Sequence, residues 1–274
     1  MKQLLSPMRS FKPVLLFAAA ISGADALAEP PAYDGKTPMI EVGPLWFDPA
    51  MSGEEQLRVA QSLVQAQARI VAVYGERMGS PRVVWCKTME CVSFFSGSDG
   101  RSYANPGNGK PRADAKYAFS FPALVITRQA RYPRNVRAVE VLTHEMSHIE
   151  FSARLRSESV PAWFNEGIAT YLGAEHDCRP GMRGIDDLSA LQNPARWREY
   201  TNESGRNLVL SYCQASNEVG AWIVEHGGFA AVLDLLAKRS KGRSFSSLYG
   251  RLHELPPAPV APSPAPAAAG DSSN

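Results

Sequence analysis

Residues 144–148 read His-Glu-Met-Ser-His, and residues 161–171 read Pro-Ala-Trp-Phe-Asn-Glu-Gly-Ile-Ala-Thr-Tyr. The first stretch has the form HExxH and lies inside a helical pattern expected to run from Asn135 to Arg154. On a helix, positions i and i+4 share a face. His144 and His148 can therefore reach one ion, while Glu145 is rotated about 100° to the side of it. Val139, Leu142, Met146 and Ile149 fall on the opposite face and offer an apolar back. Two imidazoles facing a cleft over such a back are what a zinc helix needs. The plain alternative is two histidines that merely sit on a helix face.

The second stretch reads as another helix, with Pro161 in its first turn and Gly173 just past its end. It carries Glu166, eighteen residues after His148. HExxH followed by P-x-W-F-x-E-G-x-A-x-Y resembles the gluzincin metallopeptidases, and most of all the peptidase MA-like group. The resemblance covers residues 135–173 firmly and 208–250 faintly, and it is absent before about residue 115. It implies that His144, His148 and Glu166 bind one zinc ion per chain and that Glu145 is the catalytic base. It also implies a zincin-like fold and hydrolysis of peptide bonds. Elementary chemistry agrees. Three protein ligands from two helices leave a fourth position open for water, as in catalytic zinc sites. Zinc lowers the pKa of such a water towards ~7, and Glu145 can move its proton to the leaving amine.

The chain departs from the family pattern in two places. Many gluzincins carry an acidic residue four positions after the glutamate ligand, where it orients a histidine; here that position is Thr170. Glu140, one turn before His144, is a candidate replacement. The G-x-M-E-N element of the aminopeptidase branch is also missing, which favours an endopeptidase or a specialised processing enzyme.

Hydrolysis needs a donor to the developing oxyanion. Tyr212 is the candidate, against the plain reading of a core tyrosine beside a disulfide. His176 and His226 are alternatives that read more simply as surface or capping histidines. Phe119–Thr127 (FSFPALVIT) reads as a strand, and Pro122 makes it an edge or bulged strand. Such an edge could pair with an extended peptide.

Outward from this region, the chain has 274 residues, and its 29 basic against 27 acidic side chains give a net charge of +2. Residues 1–28 contain Lys2, Arg9 and Lys12 against Asp25, so their removal leaves a nearly neutral chain. That charge cannot hold a phosphate backbone, and no nucleic-acid partner is expected. Residues 1–28 read as a secretory signal: a basic start, the apolar run Val14 to Ile21, and Ala26-Leu27-Ala28 as the cleavage site. The apolar run is far shorter than the ~20 residues of a spanning helix, so no stable membrane insertion is expected after cleavage. A periplasmic or secreted location follows. There Cys86, Cys91, Cys178 and Cys213 are expected as disulfides. Of three possible pairings, Cys86–Cys91 and Cys178–Cys213 are preferred; thiolate zinc ligation would want a CxxC-like cluster that these spacings lack.

Residues 29–50 read as an irregular opening segment or edge strand. Residues 53–78 form a helix with Leu57, Ala60, Leu63, Val64, Ala68, Val71 and Tyr74 at helical spacing. Arg82–Trp85 and Val92–Phe95 read as a hairpin, 97–112 as a loop, and 178–206 as a polar stretch of little periodicity. Leu208–Gly227, Phe229–Ala237 and Phe245–Leu252 read as helices. Residues 255–274 hold six prolines and read as a disordered tail. The expected architecture is α+β: a small mixed sheet with an edge strand, then a helical half carrying the zinc site, in one peptidase domain over 29–254. The expected partner is a peptide or protein substrate, with oligomeric state left open. Two alternatives stand beside it: a non-catalytic binding module on the same fold, and a zinc amidase acting on cell-wall peptides.

Overall fold

Alternation along two short strands decides how the sheet is buried. The structure, a computed structural model, describes residues 32–96, 103–105, 124–128, 138–174, 176–250 and 252. The expected signal segment and the expected proline-rich tail lie outside the described residues, as do Phe119 to Ala123. The strands are β1 (Ile40–Val42), β2 (Leu45–Phe47), β3 (Arg82–Cys86), β4 (Tyr103–Asn105) and β5 (Leu124–Arg128). They form one mixed sheet in the order β1-β2-β3-β5-β4. β2, β3 and β5 are parallel, while β1 and β4 run antiparallel at the two edges. Leu45, Phe47, Val83 and Trp85 belong to the main core. Trp46, Val84 and Cys86 belong to a smaller cluster on the other face. This is the period-two alternation of a sheet covered on both sides.

Helix α1 (Gly53–Tyr74) crosses from β2 to β3. Its start is specified locally by a capping box. Ser52 Oγ accepts from Glu55 N–H at 3.3 Å, and the Glu55 carboxylate accepts from Ser52 N–H at 2.7 Å. Gly75 ends it at φ 80°, a conformation that favours glycine. The buried face differs from the expected one. Val59, Leu63, Ala66, Ile70 and Tyr74 are buried, whereas Leu57 is 58% exposed and Val64 and Val71 are 45% exposed. The helix carries two interleaved apolar stripes, and packing selected the one ending in Ile70 and Tyr74.

Two strand expectations are corrected. Met89–Ser96 is a helix, α2, rather than the second arm of a hairpin. The buried Asp48 carboxylate accepts from Lys87 N–H, Thr88 N–H and Thr88 Oγ at 2.9–3.2 Å, holding the turn that leads into α2. Val92 and Phe95 then pack into the smaller cluster beside Trp46. A distant carboxylate thus overrides the β propensity of Val and Phe. The Cys86–Cys91 disulfide is present and joins the end of β3 to this helix. The second correction concerns the edge. β5 pairs with β3 on one side and β4 on the other, so Leu124–Thr127, the described part of the expected strand, does not lie at an edge. Among the described residues the edge beside it is β4, three residues within the stretch expected as loop.

The helical half comprises α3 (Ala138–Leu155), α4 (Ala162–Gly173), a 3-10 turn (Leu188–Leu191), α5 (Pro194–Glu203), α6 (Gly205–Glu225), α7 (Phe229–Arg239) and α8 (Phe245–Tyr249). α5 and the 3-10 turn occupy the stretch expected to lack periodicity. Among the described residues no single helix is long and apolar enough to cross a membrane. α3 is the central helix, packed against α1, α4, α7, β4 and β5. Polar contacts tie it to the end of α1 and to the segment that follows. Glu150, 1% exposed, accepts from Met78 N–H and Gly79 N–H at 3.0 Å each and pairs with Arg154. Arg154 also donates to the carbonyls of Tyr74 and Glu76. Tyr74 and Ser147 share a hydrogen bond of 2.9 Å.

Helix α4 lies in close contact with α3 and α6 because it carries glycine at both crossings. A Cβ at Gly173 would sit 2.9 Å from the Glu140 carbonyl and 3.0 Å from His144 Cβ. A Cβ at Gly167 would sit 2.6 Å from the Ala215 carbonyl oxygen. Backbone cannot yield as a side chain can, so Gly167→Ala must push α4 and α6 apart. The expected destabilisation is about 1–3 kcal/mol. Urea unfolding checks it; a midpoint equal to wild type would contradict the close approach.

Candidate metal centre

Helix periodicity on α3 and the docking of α4 bring three ligand atoms together. His144 Nε2 and His148 Nε2 are 3.1 Å apart. Glu166 Oε2 lies 3.5 Å from each of them. A tetrahedral ion with bonds of ~2.0–2.1 Å has ligand–ligand edges of about 3.3 Å. The observed triangle therefore has the size a first-row divalent ion requires. These three residues form a group able to hold a metal ion.

The donor chemistry fits the same assignment. Glu166 Oε2 is buried and faces the two imidazole nitrogens at 3.5 Å, an arrangement that a cation shared by the three atoms would stabilise. Burial opposes the charge on Glu166, yet the two imidazoles hold its carboxyl well below the usual carboxylate range. Burial likewise opposes a proton on His148, but the charge of Glu166, with a smaller contribution from Glu145, outweighs it and raises the imidazole above its ordinary value. Glu166 is thus an anion set against two imidazoles, and a divalent ion bound by all three would displace the imidazole proton between them.

His148 has an outer partner that sequence reasoning missed. Its Nδ1 lies 3.1 Å from Asn165 Oδ1. An Nδ1–H donated to that oxygen leaves Nε2 with its lone pair towards the ion, fixing both tautomer and ring orientation. The expected orienter was Glu140. It is a buried α3 residue whose backbone carbonyl packs against Gly173, but for His148 the role falls to Asn165. The signal was available, since Asn165 immediately precedes Glu166 on the same helix. Asn165→Ala should weaken zinc binding by about 10–100-fold. Competition with a fluorescent chelator measures it, and unchanged affinity would remove Asn165 from the site.

Glu145 is 5% exposed and lies on the same turn as His144. Tyr212 comes from α6, and its ring stacks on His144 with centroids 6.1 Å apart and planes at 23°. His176 meets Tyr212 edge-on at 5.7 Å. The Cys178–Cys213 disulfide is present and ties the segment carrying His176 to the residue after Tyr212. His226 instead caps α6, with Nδ1 2.9 Å from the Trp222 carbonyl and its ring stacked on Trp222. The structure therefore brings Tyr212 to His144 and His176 to Tyr212, and places His226 in a capping role. Thr170, in the position of the missing acidic residue, is buried at 2% exposure.

No protein-family model, curated protein or solved structure matches this chain. The likeness to gluzincins rests on the quoted residues alone. The two disulfides point to an oxidising, extracytoplasmic setting.

Proposed function

We propose that this chain is an exported, zinc-dependent peptidase of zincin-like fold, acting as an endopeptidase in the periplasm or outside the cell. The observation that carries the reading is the convergence of His144, His148 and Glu166 from two helices, with Glu145 buried on the same turn. Zinc held by these three residues would supply a Lewis acid and lower the pKa of an attacking water towards ~7. The Glu145 carboxylate takes a proton from that water as its oxygen attacks the peptide carbonyl carbon. It then delivers the proton to the amide nitrogen as the C–N bond breaks. The Tyr212 hydroxyl donates a hydrogen bond to the oxyanion formed on the carbonyl oxygen. Asn165 keeps the His148 ring oriented throughout. An extended substrate backbone can add to the sheet at β4, which among the described residues is the edge strand beside α3.

Metal analysis of the mature protein, combined with digestion of unstructured proteins and of purified cell wall, tests this reading. One zinc per chain with cleavage of protein substrates supports it. One zinc with release of cell-wall peptides only would move the activity to an amidase. One zinc with neither product would leave a binding module.

A further inference from the structure

Tyr212 is held on three sides, and one of those sides comes from a helix with no other place in the chemistry. Its ring rests on His144, is met edge-on by His176, and is met by Trp197 of α5 at 5.2 Å between centroids. Trp197 is 2% exposed, and its indole N–H is buried without a hydrogen-bond partner. What Trp197 contributes is therefore the bulk and face of its ring rather than a polar contact. Leaving an indole N–H unpaired costs free energy, so the ring must return something that a smaller apolar residue would not.

The elements around Trp197 give it a firm seat. Asn193 caps α5, accepting from Ala195 N–H at 2.7 Å. The neighbouring Gln192 carbonyl accepts from Ala162 N–H at 2.8 Å, which joins the approach to α5 to the start of the ligand-bearing α4. Gln214, two residues after Tyr212, grips the loop before α5. Its Oε1 accepts from Gly184 N–H and Ile185 N–H, and its Nε2 donates to the Ile185 carbonyl. Tyr200 of α5 donates to the Gly184 carbonyl in the same loop. α5 is thus tied to α4, which carries Glu166, and to α6, which carries Tyr212.

We propose that Trp197 is a positioning residue that holds the Tyr212 ring over His144, so that its hydroxyl is aimed before substrate arrives. This goes beyond the assignment of ligands and base. Its kinetic arm rests on the peptidase reading, while its spectroscopic arm does not. Ring packing predicts that Trp197→Phe is tolerated and Trp197→Leu is not. With peptide substrate, Trp197→Leu should lower kcat about 10-fold or more, since small misplacements of a catalytic group are costly. KM and zinc content should stay unchanged, and Trp197→Phe should recover most of the loss. In a Tyr212→Phe background, Trp197→Leu should cost nothing further, because both changes remove one function.

The independent arm labels the chain with 3-fluorotyrosine and assigns the Tyr212 line by its loss in Tyr212→Phe. In the metal-free wild type and in Trp197→Phe, that line should be displaced from the free-tyrosine position by the stacked rings. In Trp197→Leu it should broaden or split, as the Tyr212 ring loses its single setting against His144. If Trp197→Leu lacks a cooperative unfolding transition, Trp197→Met fills the volume without a ring and is read in its place. A single sharp Tyr212 line in the ringless variant overturns the proposal. So does a Trp197→Phe variant as impaired as Trp197→Leu, or an additive loss in the double variant. If wild type cleaves no peptide, the peptidase reading fails and the fluorine line alone decides the role of Trp197.

Discussion

Glu145→Gln should reduce peptide hydrolysis by about 10²–10⁴-fold while the protein keeps its zinc. The substitution preserves the size and hydrogen-bonding outline of a residue that is 5% exposed, so packing around α3 should survive. It removes only the capacity to take a proton from water and return it to the amine. Glu145 is not among the three converging ligands, so metal content should not change. Mass-spectrometric assay of a cleaved peptide, alongside zinc per chain in the same preparation, separates the two effects. Full activity in this variant would remove the proposed mechanism. Loss of zinc together with activity would show that Glu145 helps to bind the ion instead.

The other large effect is expected at the ligands. Glu166→Ala deletes the anion 3.5 Å from both imidazole nitrogens and leaves two neutral donors on one helix. His144→Ala deletes one of those donors. Each should lower zinc affinity by more than the ~10–100-fold expected for loss of an outer partner such as Asn165. At metal concentrations about 100-fold above the wild-type dissociation constant, bound zinc adds about 2.7 kcal/mol to stability. Zinc should therefore raise the melting temperature of wild type and leave that of either variant where it was. A wild-type protein without metal after reconstitution, or variants that still bind one ion, would dismantle the site. In the first case the same helix would be left as a scaffold for binding.

The centre was legible because its chemistry is local. Two ligands and the base lie within five consecutive residues, and helical periodicity alone puts both imidazoles on one face. The third ligand sits on the next helix, inside a motif whose bulky neighbours Trp163, Phe164 and Ile168 are all buried. Both disulfides were legible for a related reason. Four cysteines allow few pairings, and the short separation of Cys86 and Cys91 suits a local loop. Asn165 was overlooked although it adjoins Glu166, because an amide next to a ligand carries no spacing signature of its own.

By itself the sequence determined that a helix begins after Ser52, that the HExxH helix presents two imidazoles to one point, and that the chain mixes a small sheet with a helical half. These outcomes depend on capping groups and on periodicities that act within a few residues. Only the tertiary structure decided which stripe of α1 is buried, since Val59, Ala66 and Ile70, rather than Leu57, Val64 and Val71, face the main core. It turned Val92–Phe95 from strand to helix, through a carboxylate some forty residues away at Asp48. Among the described residues it put β4 at the edge and Leu124–Arg128 inside the sheet, and three residues are too few to show alternation. It also formed α5 and set Trp197 against Tyr212, a contact between residues whose only common feature in the sequence is an aromatic ring. Such choices rest on partners distant in the chain, and no local pattern can encode them.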